Sequence, residues 1–204
     1  VEVIAYSVMS NHAHSVLKLR PDAAKKWSSE EVARRWLLLF PLRRNKDHSA
    51  KKPTVEEIEA ITGNQALVKL YRERLADISW FNRCLNENIA KRANYEDQCK
   101  GRFWEGRFKC QRLCDVSAVI ACSAYVDLNP IRAGIAKTPE ESDHTSVQDR
   151  IYARAGKSPV RHRKWSKIAL VSVEEATNKT LSLDEYLKLV DETGRLIVCG
   201  KSSI

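Results

Sequence analysis

Two short segments near the N-terminus place the strongest constraint on the fold. Residues 3–8 are rich in β-branched and aromatic types, which favour strands. Ser10–Asn11 has turn-forming residues, and residues 12–19 then return to a strand-like pattern. Two such segments joined by a short turn predict an antiparallel β-hairpin. Any fold for this chain must therefore include an antiparallel sheet.

The second predicted strand carries two of the chain's five histidines, His12 and His14. Side chains alternate along a strand, so both imidazoles fall on one face, about 6–7 Å apart along the backbone, together with Val16 and Lys18. Two imidazoles at that spacing can share one metal ion. Histidines in this pattern are also common as ordinary surface or core residues, so the spacing alone leaves both interpretations open.

Most of the remaining sequence has helical patterns, which makes the predicted fold class α+β. Ser28 and Thr54 each lie three residues before a glutamate, the spacing of a capping box, and predict the start of two helices. Apolar residues at three- and four-residue spacings predict helix over residues 65–94, with a break near 77–79. Three further elements are predicted: a strand over 107–113, a helix from Val116 to about Leu128 that Asp115 caps, and a helix that Ser182 caps with Glu185 and that runs to about Thr193 and ends at Gly194.

The charge balance indicates a polyanionic partner. The chain has 35 Lys and Arg residues against 26 Asp and Glu, a formal charge of +9. This favours nucleic acid first and an anionic membrane surface second. No apolar run is long enough to span a bilayer, and no signal peptide is recognisable. None of the six cysteines forms a CxxC pair, which favours free thiols and a cytoplasmic location.

Tyr125 and Asn129 lie four residues apart and share a face of the predicted helix. Ala118 and Ala121 on the same face leave room for another molecule to approach. The alternative is a helix that packs Tyr125 on a sheet and ends at Asn129 as a cap, and the spacing does not decide between them.

Together these residues suggest a chemistry. Tyrosine is a weak nucleophile at neutral pH and becomes competent when a cation activates the electrophile. His12, His14 and the amide oxygen of Asn129 could hold that cation against a phosphate. Four basic side chains could then contact a DNA backbone, or could simply be solvated surface charges: Arg107, Lys109, Arg112 and Arg132.

Three segments in this order resemble the single-tyrosine HUH transposases, in particular the REP-associated tyrosine transposases. They are VMSNHAHSVLKL, GRFWEGRFK and YVDLNPIRAG. His12-Ala13-His14 is similar to the HUH motif, and Tyr125 to Pro130 is similar to the segment that carries the nucleophile. The resemblance covers residues 1–20 and 77–150 well and the rest weakly.

The resemblance implies an HUH-type α/β sandwich with an antiparallel sheet and packed helices. It also implies that Tyr125 attacks a phosphate of single-stranded or hairpin DNA to leave a 5′-phosphotyrosine and a free 3′-OH. His12 and His14 would bind a divalent ion, magnesium or manganese, with Asn129 as a third ligand. Trp104 is a candidate stacking platform for a base, or else a loop anchor. Glu105, paired with Arg107, and Asn11 are expected to give structural support.

The sequence also departs from the resemblance. Relatives have a strand and a helix before the hairpin, so the chain is expected to be truncated at its N-terminus. Residues 21–76 are interpreted as a helical insertion in a transposase-like domain over 1–150. Residues 151–204 are interpreted as a basic linker and a small helical appendage.

Two other functions stay open: a remnant that binds nucleic acid without cutting, and a metal-dependent hydrolase in which water attacks. The oligomeric state and the target sequence are not predicted.

Overall fold

The computed structural model describes residues 1–46, 49–156 and 169–201, and over these ranges the fold is α+β. The chain forms two compact units, one of Val1 with Leu19–Cys110 and one of Glu2–Lys18 with Gln111–Ile204. The strands and helices, in chain order, are β1 (Glu2–Val8), β2 (Ala13–Lys18), α1 (Pro21–Lys26), α2 (Ser29–Leu39), α3 (Val55–Thr62), α4 (Gln65–Ala76), α5 (Ile78–Glu96), α6 (Val116–Asp127), α7 (Asn129–Arg132), a 3₁₀ turn (Pro139–Glu141), α8 (Ser146–Arg154), α9 (Val173–Ala176) and α10 (Leu183–Lys201).

The predicted hairpin is confirmed. β1 and β2 pair in antiparallel register, with Ser7 opposite His14 and Val8 opposite Ala13. The backbone N–H of Met9 donates to the carbonyl of His12 over 2.9 Å and closes the turn. The register fixes which side chains share a face, because one residue of slip would exchange the two faces.

The first unit is helical, as predicted for residues 21–76. Thr54 forms both halves of a capping box with Glu57, over 2.8 and 3.3 Å. Asp77 ends α4 and accepts from the backbone N–H of Trp80, which starts α5 at the predicted break. The core of this unit is a cluster contributed by α2, α3 and α4: Val32, Ala33, Leu37, Ile58, Ile61 and Val68.

The predicted strand over residues 107–113 is wrong, because this segment forms no strand. Its sequence alternates, but alternation gives a strand only where a neighbouring strand satisfies the backbone. The segment has no such partner in the part of the chain that the structure describes. It is an extended connection to α6.

The predicted end of the last helix at Gly194 is also wrong, since α10 continues to Lys201. A Cβ at Gly194 would lie 3.2 Å from Cδ2 of Leu128. The glycine is therefore a point of close packing and not a helix terminator. α10 therefore packs in a core with α6 and α8 and is not an appendage. The buried residues of this core are Ala124, Leu128, Ile131, Ala136, Val147, Val173, Tyr186 and Val190.

The helices described are not of membrane-spanning type, since none is both long and apolar enough to cross a bilayer. Five cysteines have described side chains, and none of the five is in a disulfide. The predicted basic linker lies largely at residues 157–168, outside the described ranges.

A buried carboxylate joins four elements of the second unit. Asp127 is fully buried and accepts hydrogen bonds from the Ser146 hydroxyl, from the Val147 backbone N–H over 3.0 Å and from the Tyr186 hydroxyl over 2.6 Å. Arg150 lies 3.6 Å from the same carboxylate, and its other terminal nitrogen donates to the carbonyl of Ile4 in β1 over 2.5 Å. Burial raises the pKa of Asp127, and the charge of Arg150 opposes that rise.

This network predicts that Asp127→Asn will lower the free energy of unfolding by about 3–5 kcal/mol, because it leaves Arg150 buried without its counter-charge. Urea unfolding followed by circular dichroism measures the loss. The matched control is Asp191→Asn, which removes an exposed partner of Arg195 and should change little. Equal effects of the two substitutions would contradict a structural role for Asp127.

Candidate active site

The hairpin and α6 bring three of the predicted site residues together. Val16 on β2 and Val126 on α6 belong to one buried cluster, which holds the strand against the helix. The His12 and His14 ring centres are 4.9 Å apart, and those of His14 and Tyr125 are 6.0 Å apart, both edge to face. Residues separated by more than 110 positions in the sequence therefore form one cluster, as the resemblance implied.

The turn of the hairpin orients the first imidazole. Nδ1 of His12 lies 2.6 Å from Oδ1 of Asn11. An amide oxygen only accepts, so Nδ1 carries the proton and a neutral ring presents the lone pair of Nε2. A neighbour that fixes the tautomer in this way is typical of histidines that bind metal. The expected supporting role of Asn11 is thus a hydrogen bond that orients the His12 ring.

The second imidazole is kept neutral. Burial lowers the pKa of His14, and the neighbouring His12 lowers it further. A neutral imidazole has the lone pair that a metal ion needs. The ring of His14 makes no hydrogen bond with other described residues, so neither nitrogen is committed to the protein.

Tyr125 is accessible although it lies on a packed helix. Its side chain is 44% exposed, and its hydroxyl has no hydrogen-bond partner among the described residues. The guanidinium of Arg132 lies 4.6 Å from the centre of the Tyr125 ring, in cation–π contact. A hydroxyl that is exposed and uncommitted, next to a fixed positive charge, can reach an anionic electrophile.

Asn129 has a different environment from the one the sequence suggested. It is the first residue of α7, only 8% exposed, and its side-chain amide nitrogen is buried without a partner. No hydrogen bond joins it to His12 or His14 within the described ranges. A buried amide nitrogen without a partner costs about 1–3 kcal/mol.

The histidine pair fits a divalent ion. Imidazole nitrogens bind metals at about 2 Å, which places each ring centre roughly 3 Å from a shared ion, and a ring separation of 4.9 Å is compatible with that. No group of three or more His, Cys, Asp or Glu side chains suited to a metal occurs among the described residues. The other ligands would be an amide, water or phosphate oxygens. Of the two ions expected, manganese accepts nitrogen ligands more readily than magnesium does.

A groove of about 480 Å³ runs beside Tyr125, between α6 and α10. The two helices that form it are close because of the packing at Gly194. Ala121, predicted for this face, and Ser117, which was not predicted, are small residues on α6 that line the groove, whereas Ala118 is not one of its lining residues. Leu189 on α10 supplies an apolar surface. The groove is wide enough for a planar ring to lie next to the tyrosine.

The other predicted DNA-contacting residues are distributed over both units. Arg112 is exposed in the second unit, in the connection before α6, and Trp104, Arg107 and Lys109 belong to the first unit. Trp104 is half-buried, and its indole N–H donates to the carbonyl of Asn86 over 2.9 Å, so the ring anchors the loop, and its role as a stacking platform stays a prediction. The expected ion pair of Glu105 with Arg107 is absent from the described structure. Both side chains are exposed and cannot order the loop in that way.

Sequence reasoning missed the residues that hold the site in place. Asp127, Arg150 and Tyr186 lie in or beyond the YVDLNP segment, and none was predicted to matter. The available signal was an aspartate two residues after Tyr125, on the opposite face of a helix whose other residues are largely apolar. Such a residue requires a buried partner.

Comparisons of the chain with protein-family models, with curated protein sequences and with solved structures give no match.

The turn geometry predicts that Asn11→Ala will weaken Mn²⁺ binding by about tenfold or more, because His12 loses the contact that fixes its tautomer. Removal of both imidazoles in His12→Ala/His14→Ala should abolish the site. Titration of Mn²⁺ followed by electron paramagnetic resonance measures the affinity. Asn88→Ala is the control, since Asn88 is exposed and bonds only within its own helix. Binding that survives loss of both histidines would refute the assignment.

Proposed function

We propose that the protein is a DNA strand transferase of the single-tyrosine HUH type, with an HUH-type sandwich fold, in which Tyr125 is the nucleophile. The observation that carries the proposal is the cluster of His12, His14 and Tyr125, assembled from two distant segments. The resemblance of three ordered motifs supports the same assignment, and the surrounding geometry is compatible with it.

The reaction is an exchange of two phosphodiester bonds. The Tyr125 oxygen attacks the scissile phosphorus, the bond from phosphorus to the 3′-oxygen breaks, and the tyrosine proton passes to solvent. The products are a 5′-phosphotyrosine and a 3′-hydroxyl. The reverse attack by a 3′-hydroxyl restores a phosphodiester without ATP, because the covalent link retains the bond energy.

His12 and His14 are the residues that would hold a magnesium or manganese ion. Asn129, four residues after Tyr125, is the third proposed ligand. When bound, such an ion would neutralise negative charge on the phosphate and polarise it toward attack. His14 can serve because its neutral form is favoured, and His12 because Asn11 sets its tautomer.

Arg132 supplies a second source of positive charge. Its guanidinium lies over the Tyr125 ring, where it can donate to phosphate oxygens at the site of attack. The groove beside Tyr125 can receive a base next to the scissile phosphate. A base enters such a groove only when it is unpaired, so single-stranded or hairpin DNA is the substrate that fits.

The overall charge supports a nucleic-acid partner. A formal charge of +9 attracts the phosphate backbone whatever its sequence. In a bacterial cell this chemistry would act on the nucleoid in the cytoplasm, in transposition or in processing of repeated hairpin elements.

Loss of the nucleophile gives the central test. Incubation of the protein with labelled hairpin DNA and Mn²⁺ should give a covalent adduct on a denaturing gel, and Tyr125→Phe should give none, because no phenolic oxygen remains. Tyr95→Phe is the matched control, since Tyr95 is 84% exposed and lies in the first unit. An adduct that persists in Tyr125→Phe would refute the assignment. DNA breaks without any adduct would indicate attack by water instead.

The contact between Arg132 and Tyr125 predicts a rate effect. Arg132→Ala should slow adduct formation about 10²-fold, the usual effect of losing one stabilising donor, and Arg132→Lys should recover part of the rate. Single-turnover kinetics at saturating DNA measure it. Arg195→Ala, in an exposed pair of the same unit, should leave the rate unchanged. Equal rates for Arg132→Ala and the control would exclude a role at the phosphate.

A further inference from the structure

The first unit contains a pocket of about 520 Å³ that the proposed chemistry does not use. One wall is formed by α5, and the other by the loop at residues 104–108. Six lining residues carry the argument: Trp80, Arg83, Asn86, Glu87, Trp104 and Arg107. All of them lie within the first unit, so the pocket does not depend on any other part of the chain.

Two indole rings line the pocket from its two walls. Trp104 is fixed in place because its indole N–H donates to the carbonyl of Asn86 on α5. Trp80 is held by aromatic contacts with Trp36 and Phe40, whose ring centres are 5.9 and 6.4 Å away, and by the guanidinium of Arg74, which lies 4.2 Å from its ring centre. Both indoles are only half-buried. Rigid, partly exposed aromatic faces of this kind are the surfaces on which unpaired bases stack.

Two guanidinium groups at the pocket are available for an anion. Arg83 lies 5.0 Å from the centre of the Trp80 ring, and Arg107 is exposed on the opposite wall. No described carboxylate lies within ion-pair distance of either group. Elsewhere on α5 the basic side chains are engaged, as Lys91 is with Glu87 and Arg92 with Glu96. Glu87, four residues after Arg83, is the nearest counter-charge at the pocket, and it lowers the net positive charge there without forming an ion pair with Arg83.

The pocket also has a polar edge. Glu87 is its one carboxylate, and Lys91 holds that carboxylate over 2.5 Å and partly neutralises it. The Glu87 carboxylate, Ser79 and the Asn86 side chain together offer hydrogen-bond acceptors and donors to a planar polar group. A simple anion would not contact the two indoles, and an apolar ligand would not pair with the two guanidiniums. A base joined to a phosphate can stack on the indoles and pair with the guanidiniums.

We propose that this pocket binds one unpaired nucleotide of a single nucleic-acid strand, with the base against Trp80 and Trp104 and the phosphate at Arg83 and Arg107. The site is a binding function and does not require Tyr125 or a metal ion. It goes beyond the proposed strand transfer because it would retain a strand whether or not cleavage occurs. A paired base cannot enter, since its faces are covered by its neighbours in the duplex.

The test measures binding of a fluorescently labelled twelve-nucleotide DNA strand to the full chain by anisotropy, in EDTA so that no cleavage takes place. Arg83→Glu should weaken binding by about tenfold or more, and Arg83→Ala should reduce the salt dependence by about one counter-ion. Arg92→Glu is the matched control, because it makes the same charge change on the same helix outside the pocket, and it should have less than a twofold effect. Equal losses in Arg83→Glu and Arg92→Glu would overturn the proposal, since overall charge alone would then explain binding.

The ligand supplies the second arm. A strand in which the bases are replaced by abasic sites should bind about tenfold less tightly, and a blunt duplex should compete poorly. Abasic and natural strands of equal affinity would overturn the stacking part of the proposal. RNA of the same sequence tests the class of ligand: binding similar to that of DNA supports a pocket that reads base and phosphate, and no binding of either strand refutes it. Because anisotropy in EDTA measures binding without cleavage and the denaturing gel measures the covalent adduct, failure of this proposal and failure of strand transfer can be distinguished.

Discussion

The ion pair and hydrogen bonds around Asp127 are the constraint on which the second unit depends. One carboxylate accepts from α8 and α10, and its partner Arg150 reaches the backbone of β1. Successive helical residues are turned by about 100°, so Asp127 points roughly opposite to Tyr125, two positions before it. Fixing Asp127 in the core therefore fixes Tyr125 on the open side of α6. The same interaction holds β1, whose partner strand carries His14, with His12 in the turn just before it.

The second unit thus separates two kinds of polar group. In the network around Asp127 the carboxylate has a partner for each of its oxygens, and burial raises the pKa of Tyr186, which keeps its hydroxyl a donor. Nη1 of Arg150 lies near the carboxylate but makes no hydrogen bond with a described residue. Around Tyr125, the tyrosine hydroxyl and the His14 ring make no hydrogen bond with a described residue, and the Asn129 amide nitrogen is buried without one. The exposed hydroxyl can bond to water, so it is the buried amide nitrogen that costs stability.

The sequence predicted what is local and missed what is long-range. The capping box at Thr54 and the cap at Asp115 follow from residues within four positions of each other, and the hairpin from two neighbouring segments joined by a short turn, and each is present. Residues 107–113 and Gly194 were misjudged because their conformations depend on distant segments: the first lacks a partner strand, and the second packs against Leu128. For the site, strand alternation placed His12 and His14 together, and the motif order added Tyr125. The burial of Asn129 could not be predicted, since it depends on how α7 packs.

The two proposals, strand retention and strand transfer, place different demands on the described side chains. The proposed attack by Tyr125 requires one phosphate to be positioned closely, which calls for rigid support of the kind that Asp127 provides. Retention of a strand requires only that bases contact aromatic faces and phosphates contact cations, and the side chains around Trp80 and Trp104 offer both. A strand transferase would also have to hold its cleaved 3′ end until rejoining, because only the 5′ end is covalently attached. The proposed nucleotide pocket needs no covalent step and would meet that requirement.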